Sequence, residues 1–455
     1  MGKLFGTDGI RGVVGQTLTA ELAFHVGQSV AAVLAAEEGH APHITIGKDT
    51  RISSDMLEAA LTAGICSVGG HVIPLGTMPT PAVAFLTVQE KADAGIVISA
   101  SHNPYEYNGI KVFNAQGYKL SDAMEQQVED LILTKATMDV KTGSSLGRLA
   151  RWCSTHKDHY LQHLLSTVDA DFSGLRVLVD CANGAASATA PDLFAQLPLT
   201  ADFIHREPDG ININNGCGST HLEDLAEGVI KGKYDLGIAY DGDADRCLLV
   251  DETGETIDGD KVLAVCADML RREGRLSGNS IVGTVMSNLG LREYCRNKKM
   301  TFVSTPVGDR HVLEKMLECD YAIGGEQSGH TIFRAYATTG DGELTSLQFL
   351  QALVQSGEKA SVLAGCCPQY PQELINVEIS HAHGAKEAIM SDEKLWRISR
   401  ELEATLHGEG RILIRPSGTE ALIRVMVEAK TDESARFVAK TLADYINKVS
   451  KKLQF

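Results

Sequence analysis

The chain has 455 residues, 44% hydrophobic and 22% charged, with 12 prolines and a formal net charge of −17. That length exceeds one core and predicts about three or four domains in a folded, not a disordered, chain. The acidic balance argues against a nucleic-acid binder, which needs surplus Lys and Arg against phosphate, so an anionic ligand would require a locally basic site. No apolar run approaches the roughly 18–20 residues of a membrane helix. The start, MGKLFGTDG, has neither an apolar signal core nor the myristoylation pattern. Ten cysteines without a C-x-x-C pair read as reduced thiols. The expectation is a cytoplasmic protein with no membrane and no nucleic-acid partner.

In chain order, HITIG is followed by a helical SSDMLEAALTAGICSVGG, then HVIPLG, TPAVAFLTV and AGIVISAS. The alternation returns as LRVLVDCANG, APDLFAQL, TADFIH, LEDLAEGVIKG and DLGIAYDGD, and again as SIVGTVMSN, LREYCRNK, MTFVSTPVG, DRHVLEKMLEC and YAIGGEQSGH. Short β-rich runs separated by helices predict three βαβ units with largely parallel sheets. After the two prolines of GCCPQYPQEL a smaller tail follows, with helices near 392–407 and 432–450 around the strands GRILI and ALIRVMVEA. The expected division is 1–150, 151–252, 253–367 and 368–455.

Chemistry-bearing loops follow the last strand of each unit, where open α/β sheets gather ligands. DGDADR sets Asp241, Asp243 and Asp245 at alternate positions with small residues between. Three convergent carboxylates repel one another unless a hard divalent cation such as Mg²⁺ joins them. An EF-hand fails, because Arg246 stands where that loop needs Gly and the flanks read as strands. RPSGTE joins Arg415 to Ser417, Gly418 and Thr419, with Arg424 on the next strand, a set suited to phosphate and equally to an ordinary hairpin turn. GGEQSGH presents Glu326, Ser328 and His330, suited to sugar hydroxyls or to a Gly-rich turn. SASHNP holds Ser101 beside His102 on what reads as an exposed loop. With no G-x-S-x-G pattern a hydrolase is disfavoured. A phosphate on Ser101 would complete a Mg²⁺ shell, its charge balanced by Lys111, Arg246 and Arg11.

SASHNP, DGDADR, GEQSGH and RPSGTE, in that order and spacing, resemble the four active-site loops of the α-D-phosphohexomutases. FGTDGIRG, GININNGCGSTH, TTGDGELTSLQ and Gln327 resemble the branch acting on glucosamine phosphates more than the phosphomannomutase/phosphoglucomutase branch. The resemblance implies three topologically similar α/β domains with mixed, largely parallel sheets plus a smaller C-terminal α+β domain, around a central cleft. It implies an isomerase interconverting glucosamine 6-phosphate and glucosamine 1-phosphate through a phosphorylated Ser101 and a bisphosphate, feeding UDP-N-acetylglucosamine and cell-wall synthesis. One Mg²⁺ per chain would be held by the three aspartates and the Ser101 phosphate. Lys111, Arg11 and His102 would act near Ser101, Glu326, Ser328 and His330 would bind sugar, and Arg415, Ser417, Gly418, Thr419 and Arg424 would hold the second phosphate. The partner would be a small hexosamine phosphate, and a homodimer is compatible with the pattern. Four positions depart from the branch: Ala244 replaces a common Gly, His311 a Tyr, Tyr107 an Asp and Ala421 a Pro.

Overall fold

The computed structural model describes residues 4–6, 8–380, 384–417 and 421–453. The chain forms two compact units. One contains Met1–Met286 and Met300–Cys366, the other Ser287–Lys299 and Cys367–Phe455.

The larger unit carries three sheets of one design. In the first, the strands run in the order Ile10–Val13, Tyr107–Asn114, Ala94–Ile98, His43–Lys48, His71–Thr77. The last three are parallel, and Tyr107–Asn114 returns antiparallel to Ala94–Ile98, pairing Ile98 with Ile110. All five side chains of AGIVI are buried, the signature of a central strand covered on both faces. The second sheet repeats the order as Thr256–Ile257, Cys247–Asp251, Leu236–Tyr240, Arg176–Asp180, Thr200–Ile204. The third has four strands, Thr301–Thr305, Ser280–Thr284, Ile323–Gly325 and Thr331–Phe333. The sheets are therefore mixed, and each chemistry-bearing loop is the turn between the last parallel strand and its antiparallel return.

Helix Ala20–Glu38 covers the first sheet. Thr19 caps its start, accepting from the Leu22 N–H at 3.1 Å, and Gly39 ends it with φ 72°. Helix Gly342–Ser356 is buried from Gly342 to Leu353, so it reads as a core helix without a polar face. Asp341 caps it through the Leu344 N–H at 2.9 Å, and its polar side chains find buried partners, including Glu343 with Thr189 Oγ1 at 2.6 Å and Ser346 with the Tyr240 hydroxyl at 2.8 Å.

The smaller unit is an antiparallel sheet, Gln372–Glu378, Leu422–Ala429, Gly410–Pro416. Its core joins Val425, Val427 and Ile423 to Leu442, Ile446 and Leu395 from helices Asp432–Lys452 and Glu393–Thr405. It also takes in helix Leu289–Asn297 from far upstream. Glu428, fully buried, accepts from the Leu289 N–H at 2.8 Å and from Arg411 at 2.7 and 3.0 Å. A carboxylate is thus held at the helix N-terminus, where the dipole favours negative charge.

Candidate active site

Ser101 lies just beyond strand Ala94–Ile98, with φ 53° and only 1% exposed. The expected exposed loop is buried because two side chains wire down its backbone. Arg51, itself locked to Asp49 at 2.8 Å, donates to the Ser101 carbonyl at 2.9 Å and the Asn103 carbonyl at 2.8 Å. Asn214 donates to the same two carbonyls at 2.9 and 3.2 Å. Ser99 bridges the Ser101 N–H (3.0 Å) to Asp49 (2.6 Å).

The DGDADR loop comes up against this turn. A Cβ on Gly242 would sit 2.5 Å from the Ser101 carbonyl oxygen, so only glycine permits the approach. The Ser101 hydroxyl donates to Asp241 Oδ2 at 2.6 Å. Asp241, Asp243 and Asp245 are all buried and each offers an oxygen within 4.8 Å of the others. Asp243 Oδ1 and Asp245 Oδ1 are buried without a hydrogen-bond partner. Burial, then the Asp245 and Asp243 charges, push Asp241 up to about 8. This donor set, all hard oxygen, crowded and with orphaned buried atoms, fits a divalent cation. Ala244 carries φ 54° between two of these aspartates, the left-handed region in which its family-typical glycine would be unstrained. The methyl there costs about 1 kcal/mol.

Lys111, 1% exposed, is the counter-charge. Its ammonium lies 2.9 Å from Asp243, 3.5 Å from Asp245 and 3.2 Å from Asp8. Burial alone would lower its pKa, yet Asp243, Asp8 and Asp245 hold it above the usual lysine value. Burial likewise works to raise Asp245, but Lys111 and His330 outweigh it and hold that carboxyl well below the usual range. Arg11 pairs with Asp8. Lys119 continues the chain of charge, bridging Asp8 at 2.7 Å and Asp309 at 2.6 Å.

His102 Nδ1 is 2.9 Å from an Arg246 guanidinium nitrogen, which can only donate, and 3.4 Å from the Ser101 hydroxyl. Burial, Arg246 and Arg11 lower its pKa to about 4. It is therefore neutral near pH 7, with its Nδ1 lone pair shared between Arg246 at 2.9 Å and the Ser101 hydroxyl at 3.4 Å. His330 is tied to neighbouring segments. Its ring is buried, with Nε2 accepting from the Gly340 N–H at 3.0 Å and Nδ1 at 3.6 Å from Asp245. Glu326 is half-buried and accepts from the Gly308 N–H at 3.0 Å, while Ser328 is exposed. Gln327 donates to Asp258 at 3.1 Å.

In the smaller unit, Arg415 and Arg424 stand directly opposite on paired strands. Burial and then the Arg424 charge lower the Arg415 pKa. Facing guanidinium groups repel unless an anion joins them. Ser417 is buried and its carbonyl accepts from Lys386 at 2.6 Å. Gly418 and Thr419 lie outside the described residues. Among the departures, Tyr107 is 39% exposed and bonds Arg51 only through its carbonyl, at 3.1 Å. His311 faces Glu314 at 3.5 Å.

The sequence reading missed Asp8, Arg51, Thr80, Lys119 and Asn214. Thr80 donates to Asp243 Oδ2 at 2.7 Å across 163 residues of chain. The one local signal was the FGTDGIRG loop, whose Asp8 was passed over for Arg11.

Family models for phosphoglucomutase/phosphomannomutase match throughout: α/β/α domain I at residues 2–138, domain II at 158–254, domain III at 258–370 and the C-terminal domain at 374–445. The phosphoglucosamine mutase of Caldicellulosiruptor saccharolyticus is 52% identical over 98% of this chain and 99% of its own. That of Acetivibrio thermocellus is 51% identical over 94% and 95%. Among solved structures, a phosphoglucomutase/phosphomannomutase family protein from Burkholderia thailandensis superimposes with a TM-score of 0.80 at 23% identity, covering 98% of this chain and 97% of its own. Aspergillus fumigatus N-acetylphosphoglucosamine mutase, in complex with GlcNAc-6P and magnesium, gives 0.67 at 18% over 98% and 96%. The chain belongs to the phosphoglucomutase/phosphomannomutase family, and is thus an isomerase of the phosphohexomutase type.

Proposed function

We propose that this chain is a phosphoglucosamine mutase acting on Ser101 as phosphoserine. The observation that carries the reading is the Ser101 hydroxyl 2.6 Å from Asp241, one of three buried aspartates, with Asp243 Oδ1 and Asp245 Oδ1 left without a hydrogen-bond partner. The names of the relatives near 50% identity supply the substrate. In the forward direction the phosphoryl group leaves Ser101 Oγ for the O1 hydroxyl of glucosamine 6-phosphate, giving the 1,6-bisphosphate. That intermediate turns over, its 6-phosphoryl returns to Ser101 Oγ, and glucosamine 1-phosphate departs.

Asp241, Asp243 and Asp245 would hold one Mg²⁺ together with the Ser101 phosphate, and the ion would supply charge neutralisation. Lys111 stays protonated against Asp243, Asp8 and Asp245. It acts as a fixed positive charge beside Ser101, and the basic shell of Arg11 and Arg246 adds to it. In the dephosphorylated enzyme the Ser101 hydroxyl donates a hydrogen bond to Asp241. Glu326 and Ser328 bind sugar hydroxyls, while His330 supports Asp245 from behind. Arg415, Arg424, Ser417, Gly418 and Thr419 take the non-reacting phosphate. The four segments 1–150, 151–252, 253–367 and 368–455 each carry one of these loops. The enzyme works in the cytoplasm on small sugar phosphates, in a form compatible with a homodimer, and its product would feed UDP-N-acetylglucosamine and cell-wall synthesis.

The test is a substrate panel at saturating Mg²⁺. The expected kcat/KM for glucosamine 6-phosphate exceeds those for glucose and mannose phosphates. An equal or higher value on glucose 1-phosphate overturns the glucosamine assignment in favour of a phosphomannomutase/phosphoglucomutase.

A further inference from the structure

We propose that Asp180, His205 and Cys217 form a second metal site, selective for a borderline-soft divalent cation of the Zn²⁺ class and separate from the aspartate triad. Asp180 ends strand Arg176–Asp180, His205 follows strand Thr200–Ile204, and Cys217 sits in the GININNGCGSTH loop, three residues that the phosphoryl-transfer chemistry leaves unused. Their ligand atoms lie within 4.8 Å of one another. Four donors around Zn²⁺ at about 2.0–2.3 Å stand some 3.3–3.8 Å apart, so only a small contraction closes the set.

Three observations point to a ligand. His205 Nδ1 is buried and without a hydrogen-bond partner, although Asp180 Oδ2 is 3.1 Å away; the two atoms are close but out of line. The Cys217 thiol is fully buried, with the Asn183 amide 4.0 Å away. Beyond the ring, His205 Nε2 faces the exposed Asp224 carboxylate at 3.6 Å, the carboxylate–histidine relay that orients metal-bound imidazoles. Asp180 is already aimed by the Ala182 and Gly218 N–H groups, both at 2.8 Å.

A sulfur, a nitrogen and an oxygen donor, with water as fourth ligand, suit Zn²⁺ or Co²⁺ and disfavour Mg²⁺. On binding, the metal–sulfur bond forms and the thiol proton passes to the buffer. The ion would tie down the loop whose Asn214, three residues before Cys217, holds the Ser101 carbonyl.

The experiment adds Co²⁺ to the chelator-stripped full chain in excess Mg²⁺, which keeps the triad filled. The expected result is a near-ultraviolet thiolate-to-cobalt band saturating at one equivalent and bleached by Zn²⁺. Cys217→Ser abolishes it, and His205→Ala and Asp224→Asn weaken Co²⁺ binding at least about tenfold. Should Cys217→Ser misfold by circular dichroism, the two other variants carry the test. No band in the wild type, a band that persists in Cys217→Ser, or unchanged affinity in folded His205→Ala overturns the site.

Discussion

Replacing Lys111 by methionine tests the electrostatic core of the active site. The apolar stem keeps its packing, so the change removes charge without opening a large cavity. What remains is Asp243, Asp245 and Asp8, whose carboxylates stood 2.9, 3.5 and 3.2 Å from the ammonium. Removing one partner of a buried ion pair costs about 3–5 kcal/mol, and with three carboxylates around one lysine the upper half of that range is expected for metal-free protein at pH 8. The pH dependence follows from Asp245 and Asp8, both held low by Lys111 against burial. A lowered folded pKa contributes stability that is present above the unfolded value near 4 and lost as the pH falls below it. Without Lys111 the folded pKa values rise, so the variant loses stability as the pH climbs through the raised values. The deficit is therefore larger at pH 8 than at pH 5. Mg²⁺ should raise the variant's unfolding midpoint more than the wild type's, because the ion replaces missing positive charge. Denaturant melts at both pH values, with and without Mg²⁺, measure all of this. A metal-free deficit under about 1 kcal/mol at pH 8, or one that grows on acidification, would refute the reasoning.

Ser101→Ala should abolish uptake of label from hexosamine bisphosphate and all but trace turnover. The lost bond to Asp241 shifts stability by only about 0.5–1.5 kcal/mol, checked by melting and intact mass. Glu343→Gln removes a carboxyl that burial raises to about 8. A raised folded pKa means that wild-type stability drains away between about pH 4.5 and 8, so the variant should gain on the wild type by about 2–4 kcal/mol over that span in denaturant titrations. Arg415→Gln should raise KM at least tenfold, yet slightly stabilise its own unit by relieving the opposition to Arg424, seen as a melting midpoint that does not fall. Glu428→Ala removes the carboxylate that pairs with Arg411 and accepts from the Leu289 N–H, and should cost about 3–5 kcal/mol, read from unfolding of the smaller unit.

The strand ends and their loops were legible because each parallel strand is a short apolar run ending in small and polar residues, as AGIVIS does before Ser101. The aspartate triad was legible because its carboxylates are alternate neighbours. The return strands were harder to read: Tyr107–Asn114 and Thr331–Phe333 carry no strong period-two pattern, being buried or short. Arg51 and Asn214 were hidden for another reason. Their partners are backbone carbonyls, which look alike in every sequence, and lie 50 and 113 residues away. The setting of His330 was not legible because a loop motif names neighbours along the chain, whereas its ring is oriented by Gly340 and Asp245 from other segments. Helix Gly342–Ser356 escaped because a segment buried on all sides has no amphipathic stripe.

The helix Leu289–Asn297 has a consequence for how this chain can be cut, shuffled or inherited. The polypeptide passes between the two units after residues 286, 299 and 366. A fragment beginning at 367 would present Glu428 and Arg411 without the helix start they hold, and a larger fragment deprived of that tail would leave the Leu289 N–H without its acceptor. Neither unit is a contiguous cassette. A recombination event confined to the last ninety or so codons must bring residues compatible with a helix encoded far upstream, so the tail and that insertion are bound to change together.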